Sequence, residues 1–182
     1  MTLHDSVVDV LTRWDAPDPE QDALRQAVLA FVLARPDACR RACEPGHITA
    51  SALVLDDTGT RALLTLHPRI GRWLQLGGHC EDEDVDITAA ALREAAEESG
   101  IAGLRLDPAL ARVHVHPLTC SLGLPTRHLD LQFVVRAPAG AAIVRSEESL
   151  DLRWWPLDAL PDGDPALAAL GAAARHRQTS VE

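Results

Sequence analysis

The order of apolar and polar positions divides the chain into a helical start, a strand-rich centre and a helical end. Apolar residues recur at helical spacing over residues 3–14 and 19–34, which predicts two helices there. A third helix is predicted from about residue 86 to 99, where Gly100 provides the stop signal, and an Ala-rich helix is predicted near the C-terminus. Short apolar runs bounded by turn residues predict strands over residues 48–55, 62–66, 111–118, 128–136 and 150–155.

Strands therefore dominate the centre, and one well-defined helix lies between them. This mixture predicts an α+β domain or a three-layer α/β/α sandwich rather than a regular βαβ array. We expect one compact unit in which residues 1–46 form a helical appendage and residues 47–182 form the main domain.

Composition narrows the classes of function. The chain has 182 residues, of which 47% are apolar, so it is long enough to bury a substantial core. Its formal net charge is −10, and all 17 basic residues are Arg. A basic footprint for nucleic acid is missing, so we expect no nucleic-acid partner, and a reaction through a Lys Schiff base is excluded. Neither a long apolar run nor a signal-peptide pattern is present, which predicts no membrane association and a cytoplasmic location.

The strongest chemical signal lies on the third predicted helix. Glu94, Glu97 and Glu98 stand at positions i, i+3 and i+4, so their carboxylates share one helix face. Neighbouring like charges destabilise a helix by roughly 0.2–0.5 kcal/mol per pair, which a bound cation would offset. Mg²⁺ and Mn²⁺ prefer carboxylate oxygens, so the sequence predicts one of these metals. Arg93 stands four residues before Glu97 and is expected to pair with it.

The segment from Gly78 to Ile101 resembles the Nudix box of the Nudix hydrolases. The matching positions are Gly78, Arg93, Glu94, Ala95, Glu97, Glu98, Gly100 and Ile101. The segment departs from the family pattern because Asp84 stands where the family has its first Glu, and eight residues rather than seven separate Asp84 from Arg93. This leaves the role of Asp84 open. The resemblance extends over roughly residues 47–160 and implies a Nudix fold with a mixed central sheet.

The resemblance implies a MutT-like pyrophosphohydrolase that uses Mg²⁺ or Mn²⁺. Its substrate would be a nucleoside diphosphate linked to another moiety: a nucleoside triphosphate, an ADP-ribose-like compound or a nucleotide sugar. Glu94, Glu97 and Glu98 would hold the metal, and Arg93 would orient Glu97. The general base would be Glu94, Glu98 or Glu148. The last stands in a later loop where many members place a further carboxylate, a position that Glu147 or Glu148 could fill and for which we favour Glu148. A homodimer is compatible with the family.

Further residues are candidates for substrate contact. Gly77 and Gly78 would allow close approach of the backbone to a ligand. Arg69 and Arg72, just upstream, would contact phosphate. The complete set of predicted substrate-binding residues is Arg69, Arg72, Gly77, Gly78, His128 and Asp130. His79 lies inside the box segment and is expected near the ligand but not on a metal. The alternative function is a nucleotide-sensing module that binds without hydrolysis, although all three box glutamates are present.

Overall fold

The computed structural model describes residues 1–119, 123, 125–147 and 149–179. Within these residues the chain forms four α-helices and seven β-strands. In chain order they are α1 (Leu3–Arg13), α2 (Pro19–Ala34), β1 (His47–Leu55), β2 (Arg61–Leu66), β3 (Trp73–Leu74), β4 (Leu76–His79), α3 (Ile87–Ser99), β5 (Arg105–Thr119), β6 (Pro125–Arg136), β7 (Asp151–Pro156) and α4 (Pro165–Thr179).

The sheet is mixed, and β1 lies at its centre. β1 runs parallel to β6, with His47 opposite His128 and Leu55 opposite Arg136. On its other side β1 pairs antiparallel with β4 through its first half and with β2 at its end. β3 and β7 both pair with β2, and β5 pairs with β6. Every residue of β1 is buried, as expected of a central strand covered on both faces.

Helices cover the sheet on both sides. Alternate residues of a strand point to opposite faces, so Ile48 and Ala50 of β1 face one side while Leu53 and Leu55 face the other. The first pair packs with residues of α1, α2 and α3, and the second pair packs with Leu167 and other residues of α4. The predicted three-layer α/β/α architecture with a mixed sheet is therefore confirmed.

The N-terminal helices join the same core as the sheet. The Gln21 side chain of α2 is buried, accepts a hydrogen bond from the Val113 N–H at 2.9 Å and donates to the Val113 carbonyl at 3.2 Å. The Ser6 hydroxyl of α1 accepts a hydrogen bond from the backbone N–H of Ile87 at 3.0 Å. These contacts fix α1 and α2 against β5 and against the start of α3. The boundary at residue 46 stays a prediction.

Two strands begin three or more residues earlier than predicted. β5 starts at Arg105 rather than residue 111, and β6 starts at Pro125 rather than residue 128. The register of the β5–β6 ladder shifts between Asp107 and Arg112, around Pro108. Proline cannot donate to the ladder, so the segment resembles a loop in sequence although it continues the strand. None of the helices in the described residues has both the length and the apolar composition needed to cross a membrane.

Candidate active site

Helix α3 carries the predicted carboxylates, and its ends are set by local chemistry. Its N-cap is Asp86, whose side chain accepts a hydrogen bond from the Ala89 N–H at 2.8 Å. It ends at Gly100, which takes the left-handed conformation with φ of 66° that glycine adopts without strain. The buried face consists largely of small alanines, including Ala91 and Ala95, so the helix can lie close to the sheet. The helix is therefore fixed in position by its caps and by close packing.

Two glycines of β4 receive two of these carboxylates. The Gly77 N–H donates a hydrogen bond to Glu98 Oε2 at 3.1 Å. At Gly78 a Cβ atom would lie 2.7–2.8 Å from the carboxylate atoms of Glu94, so only glycine leaves room for that carboxylate. The predicted close approach at Gly77 and Gly78 is thus made by the protein's own glutamates, which lie directly against the strand.

The two glycines are expected to respond differently to alanine. Gly77→Ala should lower the free energy of unfolding by about 2–4 kcal/mol, because Gly77 has φ of 152° and its Cβ would lie 2.6 Å from the Ala50 carbonyl oxygen. Gly78→Ala should leave stability nearly unchanged, because the flexible Glu94 side chain can move away, but a carboxylate displaced by about 1 Å can cost on the order of 10²-fold in turnover. Urea denaturation and steady-state kinetics on both variants test this. Equal losses of stability would contradict it.

Arg93 connects three parts of the site: the loop of residues 80–86 between β4 and α3, called the box loop, strand β4 itself, and the carboxylate face of α3. Its Nε and Nη2 donate to the two oxygens of Asp84, each at 3.0 Å, and Nη2 also donates to the His79 carbonyl at 2.9 Å. Its Nη1 donates to Glu94 Oε1 and Glu97 Oε2, each at 3.1 Å. The hydrogen bonds to Asp84 raise the pKa of the Arg93 guanidinium above its ordinary value. Arg93 thus holds two of the three carboxylates in place.

Exposure differs among the grouped carboxylates. The Asp84 side chain is only 5% exposed and the Glu94 side chain 14%, whereas the Glu97 side chain is 60% exposed. Asp84 also accepts a hydrogen bond from the Glu81 N–H at 2.8 Å, so it closes the box loop on itself. The site presents several carboxylates against one guanidinium, and carboxylate oxygens of this kind suit a hard divalent cation.

The other predicted site residues lie in different surroundings. Arg69 and Arg72 are exposed in the turn between β2 and β3. Asp130 is buried on β6 and accepts hydrogen bonds from the Thr49 hydroxyl at 2.9 Å and the Ser51 hydroxyl at 2.7 Å. His128 is half-buried two residues before Asp130, on the same face of β6. Glu148 lies outside the described residues. The substrate contacts predicted for these residues stay predictions.

Sequence reasoning left Asp84 without a role and did not group the histidines. The position of Asp84 in the box, ahead of Arg93, could have indicated that the two side chains pair. The extra residue between them made that pairing hard to predict. His47 and His79 lie beside His128, with ring centroids 5.0 and 4.9 Å from it. That neighbourhood depends on strand pairing between distant segments, for which the sequence carries no local signal.

Comparisons with known proteins identify a family. The family model described as the NUDIX domain matches residues 45–177. No curated protein sequence matches the chain.

Solved structures share the fold at low sequence identity. The MutT protein from Methanosarcina mazei Go1 aligns with a TM-score of 0.56 and 20% identity, over 75% of this chain and 97% of that one. The NUDIX domain of Shewanella oneidensis NrtR, complexed with ADP ribose, also gives 0.56 and 20%, over 82% and 97%. A binary complex of the C. elegans Ap4A hydrolase gives 0.51 and 18%, over 74% and 96%. At these identities the likeness concerns the fold alone.

Proposed function

This chain belongs to the Nudix family of hydrolases, and on that premise we propose that it hydrolyses the pyrophosphate bond of a nucleoside diphosphate linked to another moiety, with Mg²⁺ or Mn²⁺ as cofactor. The observation that carries the proposal is the placement of Glu94 and Glu98 directly against the glycines of β4. Glu97 completes the carboxylate face one turn after Glu94. Membership of the family makes the protein a pyrophosphohydrolase, and the proposal concerns which metal it uses and which substrate it hydrolyses.

The residues present fit a hard divalent cation. Glu94, Glu97 and Glu98 would hold it, since helical spacing places them on one face of α3 and Glu94 and Glu98 lie against the glycines of β4. When bound, such a cation neutralises phosphate charge and lowers the pKa of water. The protein carries a formal charge of −10, which repels a polyphosphate, so local positive charge is needed for substrate to approach.

The side chains divide the remaining tasks. Either Glu94 or Glu98 accepts a proton from the attacking water, because both carboxylates lie where the helix meets β4. Arg93 positions Glu94 and Glu97 through its Nη1 hydrogen bonds. Arg69 and Arg72, exposed upstream of the box, contact phosphate. Glu148 remains a third candidate base.

Three substrate classes are open: nucleoside triphosphates, ADP-ribose-like compounds and nucleotide sugars. We include dinucleoside polyphosphates because solved structures with the same fold comprise an Ap4A hydrolase as well as a NUDIX domain complexed with ADP ribose. The chain contains no Tyr, so the downstream Tyr of diadenosine polyphosphate hydrolases has no counterpart here. We therefore place the first three classes ahead of dinucleoside polyphosphates.

The test is hydrolysis of a panel covering these four classes, measured with Mg²⁺, with Mn²⁺ and with a chelator. A coupled phosphatase releases phosphate from monophosphate products. We expect turnover of one class with metal, and loss of at least about 10²-fold when the chelator removes it. Turnover that persists in chelator would contradict the metal-dependent mechanism. Tight binding of nucleotides without hydrolysis of any would instead support the nucleotide-sensing alternative.

A further inference from the structure

Three histidines from three strands converge on the sheet. His47 begins β1, His79 ends β4 and His128 lies in β6 opposite His47. Their ring centroids are 4.9–5.1 Å apart, and one nitrogen from each ring lies within 4.8 Å of the other two. His79 pairs with Thr49 and Gly78 pairs with Ala50, so these two β4 residues point to opposite faces. The histidines therefore lie across the sheet from the carboxylates of α3.

Two of the imidazoles have a buried nitrogen that lacks a hydrogen-bond partner. His47 is 1% exposed, and its Nδ1 lies 3.3 Å from the Cys43 carbonyl oxygen. A carbonyl only accepts, so Nδ1 carries the proton and Nε2 carries the lone pair. This Nε2 is buried without a partner, as is Nε2 of His128. An N–H donated to a backbone carbonyl is the usual arrangement for a histidine that binds metal through its other nitrogen.

The surroundings keep these imidazoles neutral. Burial, reinforced by Arg41 and His47, lowers the pKa of His79 to about 4. Burial, reinforced by the neighbouring histidines, lowers the pKa of His128 to about 3. At neutral pH both rings therefore offer a lone pair without first losing a proton.

We propose that His47, His79 and His128 form a binding site for a borderline divalent transition-metal cation such as Zn²⁺. Imidazole nitrogen suits Zn²⁺, whereas Mg²⁺ and Mn²⁺ favour the oxygen ligands on the other face of the sheet. A tetrahedral Zn²⁺ holds its nitrogen ligands about 3.4 Å apart. The candidate nitrogens lie at most 4.8 Å from one another, so each pair must move closer by no more than about 1.4 Å to bind the same ion. Rotation of the side chains supplies such a shift. The site is independent of the proposed pyrophosphate hydrolysis.

Neighbouring groups complete the site. Three histidines leave one tetrahedral position, and His116 lies opposite His128 in the β5–β6 ladder with its ring 5.1 Å away. His116 Nδ1 is also buried without a partner. The buried carboxylate of Asp130, two residues after His128 on the same face, supplies negative charge near the cation. The positive charge of Arg41 acts against cation binding, but the Arg41 side chain is exposed and solvent screens its charge.

Bound metal would tie three strands together beside the box. Because the His79 carbonyl accepts a hydrogen bond from Arg93, a metal on the His79 ring would fix the end of β4 against β1 and β6. A ligand that binds only the folded state raises its stability. We expect Zn²⁺ to raise the midpoint of thermal unfolding of the full chain.

The test is equilibrium binding of Zn²⁺ to chelator-stripped full-length protein in excess Mg²⁺, which occupies the carboxylates. We expect one Zn²⁺ per chain, and a Co²⁺ derivative with the visible absorption of nitrogen ligands in a tetrahedral field. His47→Gln and His128→Gln should each weaken binding by about 100-fold or more and abolish the thermal shift. Where either variant fails to fold, His79→Gln gives the same readout.

Two matched variants locate the binding. His176→Gln removes an exposed histidine of α4, and Glu98→Gln removes a box carboxylate. Both should retain Zn²⁺ affinity and the Co²⁺ spectrum. No Zn²⁺ binding by the wild-type chain would overturn the proposal. So would binding that survives loss of the cluster histidines or disappears in Glu98→Gln.

Discussion

Replacing Glu98 by Gln is expected to lower kcat on the substrate identified in the panel by about 10²–10⁴-fold, while leaving the fold intact. The Gly77 N–H donates to Glu98 Oε2, and a glutamine side-chain oxygen can accept the same hydrogen bond. The substitution therefore preserves the contact between α3 and β4. It removes the negative charge that we propose binds metal and the basicity that we propose accepts a proton.

The measurement is steady-state kinetics as a function of Mg²⁺ concentration, with circular dichroism as the check on folding. Glu83→Gln is the control, because Glu83 is an exposed carboxylate in the loop that precedes α3. The control should keep wild-type kcat. If Glu98→Gln also retains wild-type kcat at every Mg²⁺ concentration, the assignment of Glu98 to the active site is wrong.

The carboxylate face could be predicted because its determinants are local. Helical periodicity alone places Glu94, Glu97 and Glu98 together, and Gly100 marks the end of the helix at the residue where the structure has it. The pairing of Arg93 with Glu97 also follows from their spacing and is present at 3.1 Å. In each case the interacting residues lie within one or two helical turns, so tertiary packing had little to add.

Interactions that depend on strand register could not be predicted. Ser51 and Asp130 are far apart in sequence, and the 2.7 Å hydrogen bond between them exists only because β1 and β6 pair in parallel register. The same pairing brings His47 to His128. A one-residue change in register would move these side chains to the opposite face, so the grouping cannot be obtained from periodicity within either strand.

Asp84 lies between these two cases. The extra residue in the box left its role open, and the structure brings both of its oxygens to the Arg93 guanidinium. Asp84 also accepts a hydrogen bond from the Glu81 N–H, which closes a turn ahead of α3. Spacing in a loop constrains position less than spacing in a helix does, since loop backbone conformation varies.

Replacing Arg93 by Gln is expected to lower the free energy of unfolding by about 3 kcal/mol, and to lower kcat as well. The Asp84 carboxylate is 5% exposed and would lose its cationic partner, and the His79 carbonyl would lose a donor. Glu94 and Glu97 would repel each other without the guanidinium between them. Arg93→Lys keeps the charge but not the two-pronged geometry, so it should recover only part of either loss.

Urea denaturation of Arg93→Gln, Asp84→Asn and the double variant measures the coupling directly. The double variant should lose less stability than the sum of the single variants, because Asp84→Asn removes the buried charge that Arg93→Gln leaves unpaired. Arg13→Gln is the control, since the pair of Arg13 with Asp9 is exposed on α1 and should contribute little. Additive losses, or equal effects of Arg93→Gln and Arg13→Gln, would show that Arg93 does not hold the box loop, β4 and the carboxylate face together.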